Sequence, residues 1–193
     1  MSPAAVPTRR LLVRENAPPH VMGELAADLD WVLEEYIEPG PGRPEEEIYD
    51  TGRPGTHGRF LADPMLGVRY LFLQGPDAGE LAEELSGRPV FMPVDEALGA
   101  LASAGDRDDL PGIVDGLYFV AASAPPDQDD RVVAALDRAA VHLDPQVRRA
   151  AIVASGYLPW PAMRALLERL RSDADEAVRR DAAIMLEGKD LYE

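Results

Sequence analysis

The sequence predicts an α+β protein: a small antiparallel sheet with one helix, followed by an α-solenoid of about three helix pairs. Three observations carry that expectation. Between Asp30 and Leu73 the apolar residues come in short runs rich in aromatic and β-branched side chains, separated by Gly/Pro clusters, the pattern of strands joined by tight turns. From Pro93 onward the apolar spacing becomes helical and stays so. In that half, Asp144-Pro-Gln-Val-Arg-Arg-Ala-Ala151 and Asp175-Glu-Ala-Val-Arg-Arg-Asp-Ala182 repeat one signal 31 residues apart. A period between about 20 and 50 residues marks units that bury their apolar faces only by stacking on one another.

The elements follow in order. Residues 1–23 carry scattered prolines and no sustained period, and read as a tail. Residues 24–92 form a small α/β domain with an acidic face. Its strands are expected at Trp31–Ile37, Glu46–Tyr49, Gly58–Leu61 and Gly67–Leu73. The intervening Pro39–Pro44, Thr51–Gly55 and Asp63-Pro64 segments punctuate turns, because Gly supplies positive φ and Pro fixes φ near about −65°. These connections are too short for helical crossovers, so neighbouring strands are antiparallel. Gly67–Leu73, apolar at nearly every position, is the central strand covered on both faces. Asp77 caps a helix over Ala78–Leu85 that places Leu81, Ala82 and Leu85 on one face, and Gly87 ends it.

Residues 93–193 are read as helical repeats. Helices are expected at Val94–Ala102, Leu110–Ala122 and Asp129–Leu143, the third with Val132, Val133, Leu136, Ala140 and Val141 on its apolar side. A fourth runs from Asp144-Pro145 to Gly156, a fifth from Trp160-Pro161 to Arg171, and a sixth from its cap Asp175 to Gly188. Short loops between successive helices make them pairs.

Val147-Arg148 after Asp144-Pro145, Val178-Arg179 after Asp175, and the alanine-rich continuation resemble the short bacterial HEAT-like repeats of the phycobilisome-lyase type, over roughly residues 94–188. The resemblance implies that the Arg after Val bonds the capping region of the adjacent unit, so that Asp144, Arg148, Asp175 and Arg179 are joints between repeats. A third copy, Ile113–Ala122, aligns with Val147–Gly156 at an offset of 34 but carries Val114 and Asp115 in place of the arginines. It is a degenerate unit.

Composition narrows the function. With 35 acids against 19 bases the net charge is −16, and such a surface repels phosphate backbones and anionic lipid, so neither nucleic acid nor a membrane is expected as partner. There is no cysteine, which excludes thiolate chemistry and fits a cytoplasmic location. Nucleophile elbows, phosphate-binding loops, dinucleotide fingerprints, zinc-binding helices and calcium loops are all missing. Asp106–Asp109 and Asp127–Asp130 have Leu110 and Arg131 where a calcium loop needs an oxygen ligand, and read as caps. His20, His57 and His142 show no metal-binding spacing. Gly52–Gly58, with Arg53, is a hairpin loop with a minor claim to anion binding. No catalytic residue, metal or cofactor is expected.

What stands out is charge placement. From Glu24 to Asp50 there are ten acids against Arg43 alone, nine of the sixteen net negative charges. Half of the ten alternate with apolar residues on expected strands, which holds them on a sheet face or edge, and Glu34, Glu35, Glu45, Glu46, Glu47 and Asp50 are the partner-binding candidates among them. Charges there block edge-to-edge pairing, or form a rigid negative surface that steers a basic partner. Tyr157 and Trp160, in a loop between helices, read as interface anchors or as plugs of the helix junction. Arg149 and Arg180, beside the joint arginines, are further partner-binding candidates. The leading expectation is a non-catalytic module that binds a basic protein. A small, acidic, cysteine-free chain of this build resembles the immunity proteins that neutralise polymorphic toxins. The alternatives are a HEAT-repeat lyase-like enzyme or accessory factor, and a structural adaptor. The repeat-containing alkylpurine DNA glycosylases would need a basic groove that this charge disfavours.

Overall fold

In the computed structural model, which describes residues 6–41 and 43–190, the first strand lies in the segment expected to be a tail. β1 (Thr8–Val13) pairs antiparallel with β5, Leu11 opposite Leu71. Its apolar run, Leu11–Val13, is too short to show a period, and its partner is far along the chain. The remaining strands are β2 (Val32–Ile37), β3 (Glu45–Asp50), β4 (His57–Asp63), β5 (Val68–Gln74) and β6 (Phe91–Met92). They form one antiparallel sheet in the order β2-β3-β4-β5-β1-β6. The four expected strands are present and antiparallel. β5 is interior, with Leu71 and Leu73 buried on one face and Val68 and Tyr70 on the other.

Two helices accompany the sheet where one was expected. α1 (Val21–Asp28) buries Met22, Leu25 and Ala26. It is too short to be stable alone, and Gly23 weakens it further, so packing, not local propensity, makes it helical. α2 (Ala78–Ser86) buries Ala78, Leu81, Ala82 and Leu85. The apolar faces of α1 and α2 meet Val13, Tyr49, Phe60, Leu71, Leu73 and Phe91 in one core, with Trp31 at its margin. Trp31 lies 6.3 Å from Tyr49, ring centre to ring centre. Gly58 leaves room for that indole, since a Cβ there would stand 2.7 Å from Trp31 Cζ3.

The chain divides into two compact units, Met1–Pro93 and Val94–Glu193. The second contains α3 (Val94–Asp106), α4 (Leu110–Ser123), α5 (Asp130–Ala140), α6 (Pro145–Gly156), α7 (Pro161–Leu170) and α8 (Glu176–Asp190). α3 packs on α4, α5 on α6 and α7 on α8, while α4 also meets α6, α6 meets α8, and α5 meets α7. Small residues allow these approaches: Ala121, Ala122, Ala135, Ala150, Ala151, Ala154 and Ala182 are all buried. A Cβ on Gly116 of α4 would meet Leu101 Cα of α3 at 2.9 Å.

Side-chain caps set the starts of α4, α5, α6 and α8. Asp109 accepts from the backbone N–H of Gly112 at 3.1 Å, Asp129 from Arg131 at 2.8 Å, Asp144 from Gln146 at 2.7 Å and Asp175 from Ala177 at 2.9 Å. Three ends differ from expectation: α3 runs past Ala102 to Asp106. α5 stops at Ala140, which leaves Val141 77% exposed instead of in the apolar stripe. α8 continues through Gly188 to Asp190. No helix among the described residues is long and apolar enough to cross a membrane.

Candidate functional site

β2 is the long edge of the sheet, bonded only to β3, and its register decides what it displays. Val32 stands opposite Asp50 and Leu33 opposite Tyr49. Then the register slips, so that Glu35 faces Ile48, Tyr36 faces Glu47 and Ile37 faces Glu46. Glu34 is the extra residue of a β-bulge. In a regular strand Glu34 and Tyr36 would share one face, and Leu33 and Glu35 the other. The bulge instead puts Leu33 and Tyr36 on the face of Tyr49 and Glu47, which is the face α1 and α2 cover. Glu35 lies on the opposite face. Glu34 joins it there, its carboxylate 3.3 Å from His57 Nδ1 on β4. Both glutamates of β2 thus lie on one face, between Val32 and Ile37, and Leu33 and Tyr36 on the other; Val32, Leu33 and Tyr36 are 63%, 50% and 49% exposed.

The neighbouring carboxylates have distinct roles. Tyr36 donates its hydroxyl to Glu45 at 2.8 Å, and that bond to an anion raises the Tyr36 pKa above its ordinary value. Tyr49 donates to Glu47 at 2.5 Å; burial first, and Glu47 second, hold its proton more tightly than in a free tyrosine. Asp50 accepts from the backbone N–H of Gly52 at 2.9 Å and fixes the turn after β3. Glu46 departs from the expected role. It is buried, 6% exposed, and ion-paired with Arg59 Nε of β4, so its charge is neutralised within the sheet. Among the described residues Glu35, Glu38, Glu45, Glu47 and Asp50 have no cation within ion-pair distance. The acid-rich strand pair is therefore ordered and largely uncompensated.

The Gly52–Gly58 loop is not open to anions in the manner its composition suggests. Arg53 Nη2 contacts both carboxylate oxygens of Glu84 at 2.8 Å, and Arg53 Nη1 lies 3.5 Å from Glu80. Buried Thr56 accepts from the Asp77 N–H at 3.1 Å, while Thr51 donates to the Thr56 carbonyl at 2.7 Å. The loop is tied to the start of α2.

In the helical unit, Trp160 is 4% exposed and donates Nε1–H to the Pro126 carbonyl at 2.9 Å. It plugs the junction at the start of α7 and is not presented to a partner; Tyr157 beside it is half-buried. Arg149 donates to Asp181 at 2.6 Å, and the exposed Arg180 lies 3.4 Å from the same carboxylate. One acid answers both arginines, tying α6 to α8.

Arg148 and Arg179 make matching clasps. Arg148 Nη1 donates to the carbonyls of His142 and Leu143 at 2.7 and 2.9 Å. Arg179 Nη1 donates to those of Asp173 and Ala174 at 2.7 and 2.9 Å. Arg148 also reaches forward, its Nε and Nη2 each bonding one oxygen of Asp173 at 2.8 Å. Asp173, not Asp144 or Asp175, is the acceptor that links consecutive helix pairs. Asp144 and Asp175 cap their own helices. Sequence reasoning missed Asp173, although the 31-residue period marks it: one period earlier stands His142, whose Nδ1 accepts from the Asp144 N–H at 3.1 Å as Asp173 accepts from the Asp175 N–H at 2.8 Å.

Comparison with known proteins assigns no family to the chain: no family model, no curated protein and no solved structure matches it.

Proposed function

We propose that this chain is a non-catalytic protein-binding module in which the acidic β2–β3 strand pair captures a basic protein, and the helical unit, an α-solenoid of about three HEAT-like pairs, serves as its platform. The observation that carries this reading is the set of five uncompensated carboxylates, Glu35, Glu38, Glu45, Glu47 and Asp50, fixed on ordered backbone. A solvated tail could not hold them in register. Fixed like charges raise the local potential, speed encounter with a cationic protein, and penalise anionic competitors. The solenoid reading is supported by the α4, α6, α8 contacts and by the repeated arginine clasp, each unit locking its own loop and Arg148 engaging the next. Immunity proteins that cover the cleft of a basic toxin are the resemblance this build supports best.

The test is retention of lysate proteins on the immobilised chain at low and at high salt, with a charge-reversed variant in parallel. Glu35→Lys, Glu38→Lys and Glu45→Lys together change exposed sites and spare the buried Glu46. A basic protein held at low salt should be released by salt, and its association with the variant should slow at least about tenfold. Retention that ignores both salt and charge reversal would remove the basis for electrostatic capture.

A further inference from the structure

We infer that the partner is captured by strand addition: an extended segment alternating basic and apolar residues pairs with the free edge of β2, extending the six-stranded sheet to seven. This deepens the reading above and rests on it. The first support is the edge itself. β6, at the other end of the sheet, spans two residues, whereas β2 offers six. An edge of that length presents outward N–H and C=O groups that can pair with another chain.

The second support is the bulge at Glu34. It gives one face of β2 to Leu33 and Tyr36 and gathers both glutamates, Glu34 and Glu35, on the other, between Val32 and Ile37. An added strand places successive side chains on alternate faces. Apolar residues would therefore cover Leu33 and Tyr36, lengthening the core that ends at Trp31 and Tyr49, and basic residues would lie beside the two glutamates. Six residues at about 3.4 Å each give a contact of about 20 Å, enough for three basic and three apolar positions.

The third support is the sign of the charge. Natural edges are commonly protected by lysine, proline or a bulge. Here the acids disfavour a second copy of this chain, because β2 against β2 would set Glu34 and Glu35 against the same residues, and like charges across a strand pair destabilise it. A cationic strand meets the opposite sign. The bulge weakens pairing with indiscriminate strands while sorting the side chains for an alternating one.

The experiment uses an end-blocked eight-residue peptide of alternating Arg and Val, with two further versions, one N-methylated at every Arg and the other at every Val. In a strand, alternate amides point to opposite sides, so strand addition predicts that one methylated version binds within about threefold of the parent while the other loses at least tenfold, by fluorescence anisotropy at low salt. Glu34→Gln with Glu35→Gln, which adds no positive charge to the edge, should weaken binding of the parent peptide at least about fivefold. Equal effects of the two methylation patterns, whether both versions bind or neither does, overturn strand addition, as does failure of the parent peptide to bind a chain that retains a basic protein. Failure to retain either peptide or basic protein overturns the parent reading as well.

Discussion

Replacing Arg148 by Met keeps the aliphatic stem and removes a guanidinium that makes four hydrogen bonds, two to Asp173 and two to loop carbonyls. The Arg148 and Asp173 side chains are 12% and 10% exposed, so the pair lies nearer the buried limit than the surface one. Loss of the arginine strands the Asp173 carboxylate with the Asp175 N–H as its remaining donor. Breaking a buried pair by removing one partner costs about 3–5 kcal/mol; because some water reaches Asp173, the lower end, about 3 kcal/mol, is expected. Arg179→Met removes two bonds to carbonyls, that of Ala174 at an exposed contact, and should cost about 1 kcal/mol. Combining Arg148→Met with Asp173→Asn relieves the stranded charge and should recover at least about 1 kcal/mol. The chain has two tryptophans, Trp31 in the sheet unit and Trp160 in the helical one. Urea unfolding followed by fluorescence in a Trp31→Phe background thus reports the helical unit. With a slope of about 1–3 kcal/mol/M, the Arg148 variant should lower the midpoint by about 1–3 M. Equal losses for Arg148→Met and Arg179→Met, or no recovery in the double variant, would refute the assignment of Asp173 as the inter-unit acceptor.

Three further outcomes follow from the packing and charges. Hydrogen bonds from Arg148 hold the Asp173 carboxyl below the usual carboxylate range. Its folded pKa is therefore lower than the unfolded value of about 3.9, and its contribution is complete above that value and lost as pH falls through the folded one. The stability gap between the native chain and Asp173→Asn should narrow below about pH 4, measured by urea unfolding from pH 6 downward. Gly58→Ala drives a methyl to 2.7 Å from the Trp31 ring, costs about 1–3 kcal/mol, and should alter the near-ultraviolet circular dichroism of Trp31. Trp160→Phe loses the bond to Pro126 and part of a buried ring, about 2 kcal/mol, read as a lower thermal midpoint of the helical unit.

The sequence showed most of what local chemistry dictates. Asp109, Asp129, Asp144 and Asp175 announced helix starts because a carboxylate ahead of orphan N–H groups acts within one turn. The four strands β2 to β5 were legible from aromatic and β-branched runs between Gly/Pro turns. β1 and α1 were not, because each is short and stabilised by residues remote in the chain. The acid cluster was visible, but its sorting was not: Leu33-Glu-Glu-Tyr36 alternates ambiguously, and only the register with β3 shows the bulge that unites Glu34 with Glu35. Glu46 looks like its neighbours in the sequence, and only its ion pair with Arg59 on the adjacent strand sets it apart. Trp160 offered two roles, and burial selected the plug.

The pairing of Arg148 with Asp173 has a counterpart in what the preceding unit lacks. Val114 occupies the aligned place of Arg148, and His142 that of Asp173, so donor and acceptor have vanished together and no lone charge is left behind. The α6–α8 step is closed by charge, whereas the α4–α6 step brings together helices that bury Leu117 and Val120 on one side and Val147 and Ala151 on the other. Apolar contact weakens on cooling, while the desolvation penalty of an ion pair falls on warming. Both seams therefore tighten on warming, and temperature alone does not separate them. Acid does separate them, because it removes the Asp173 charge that closes the α6–α8 step, whereas the aligned place in the α4–α6 step is held by His142.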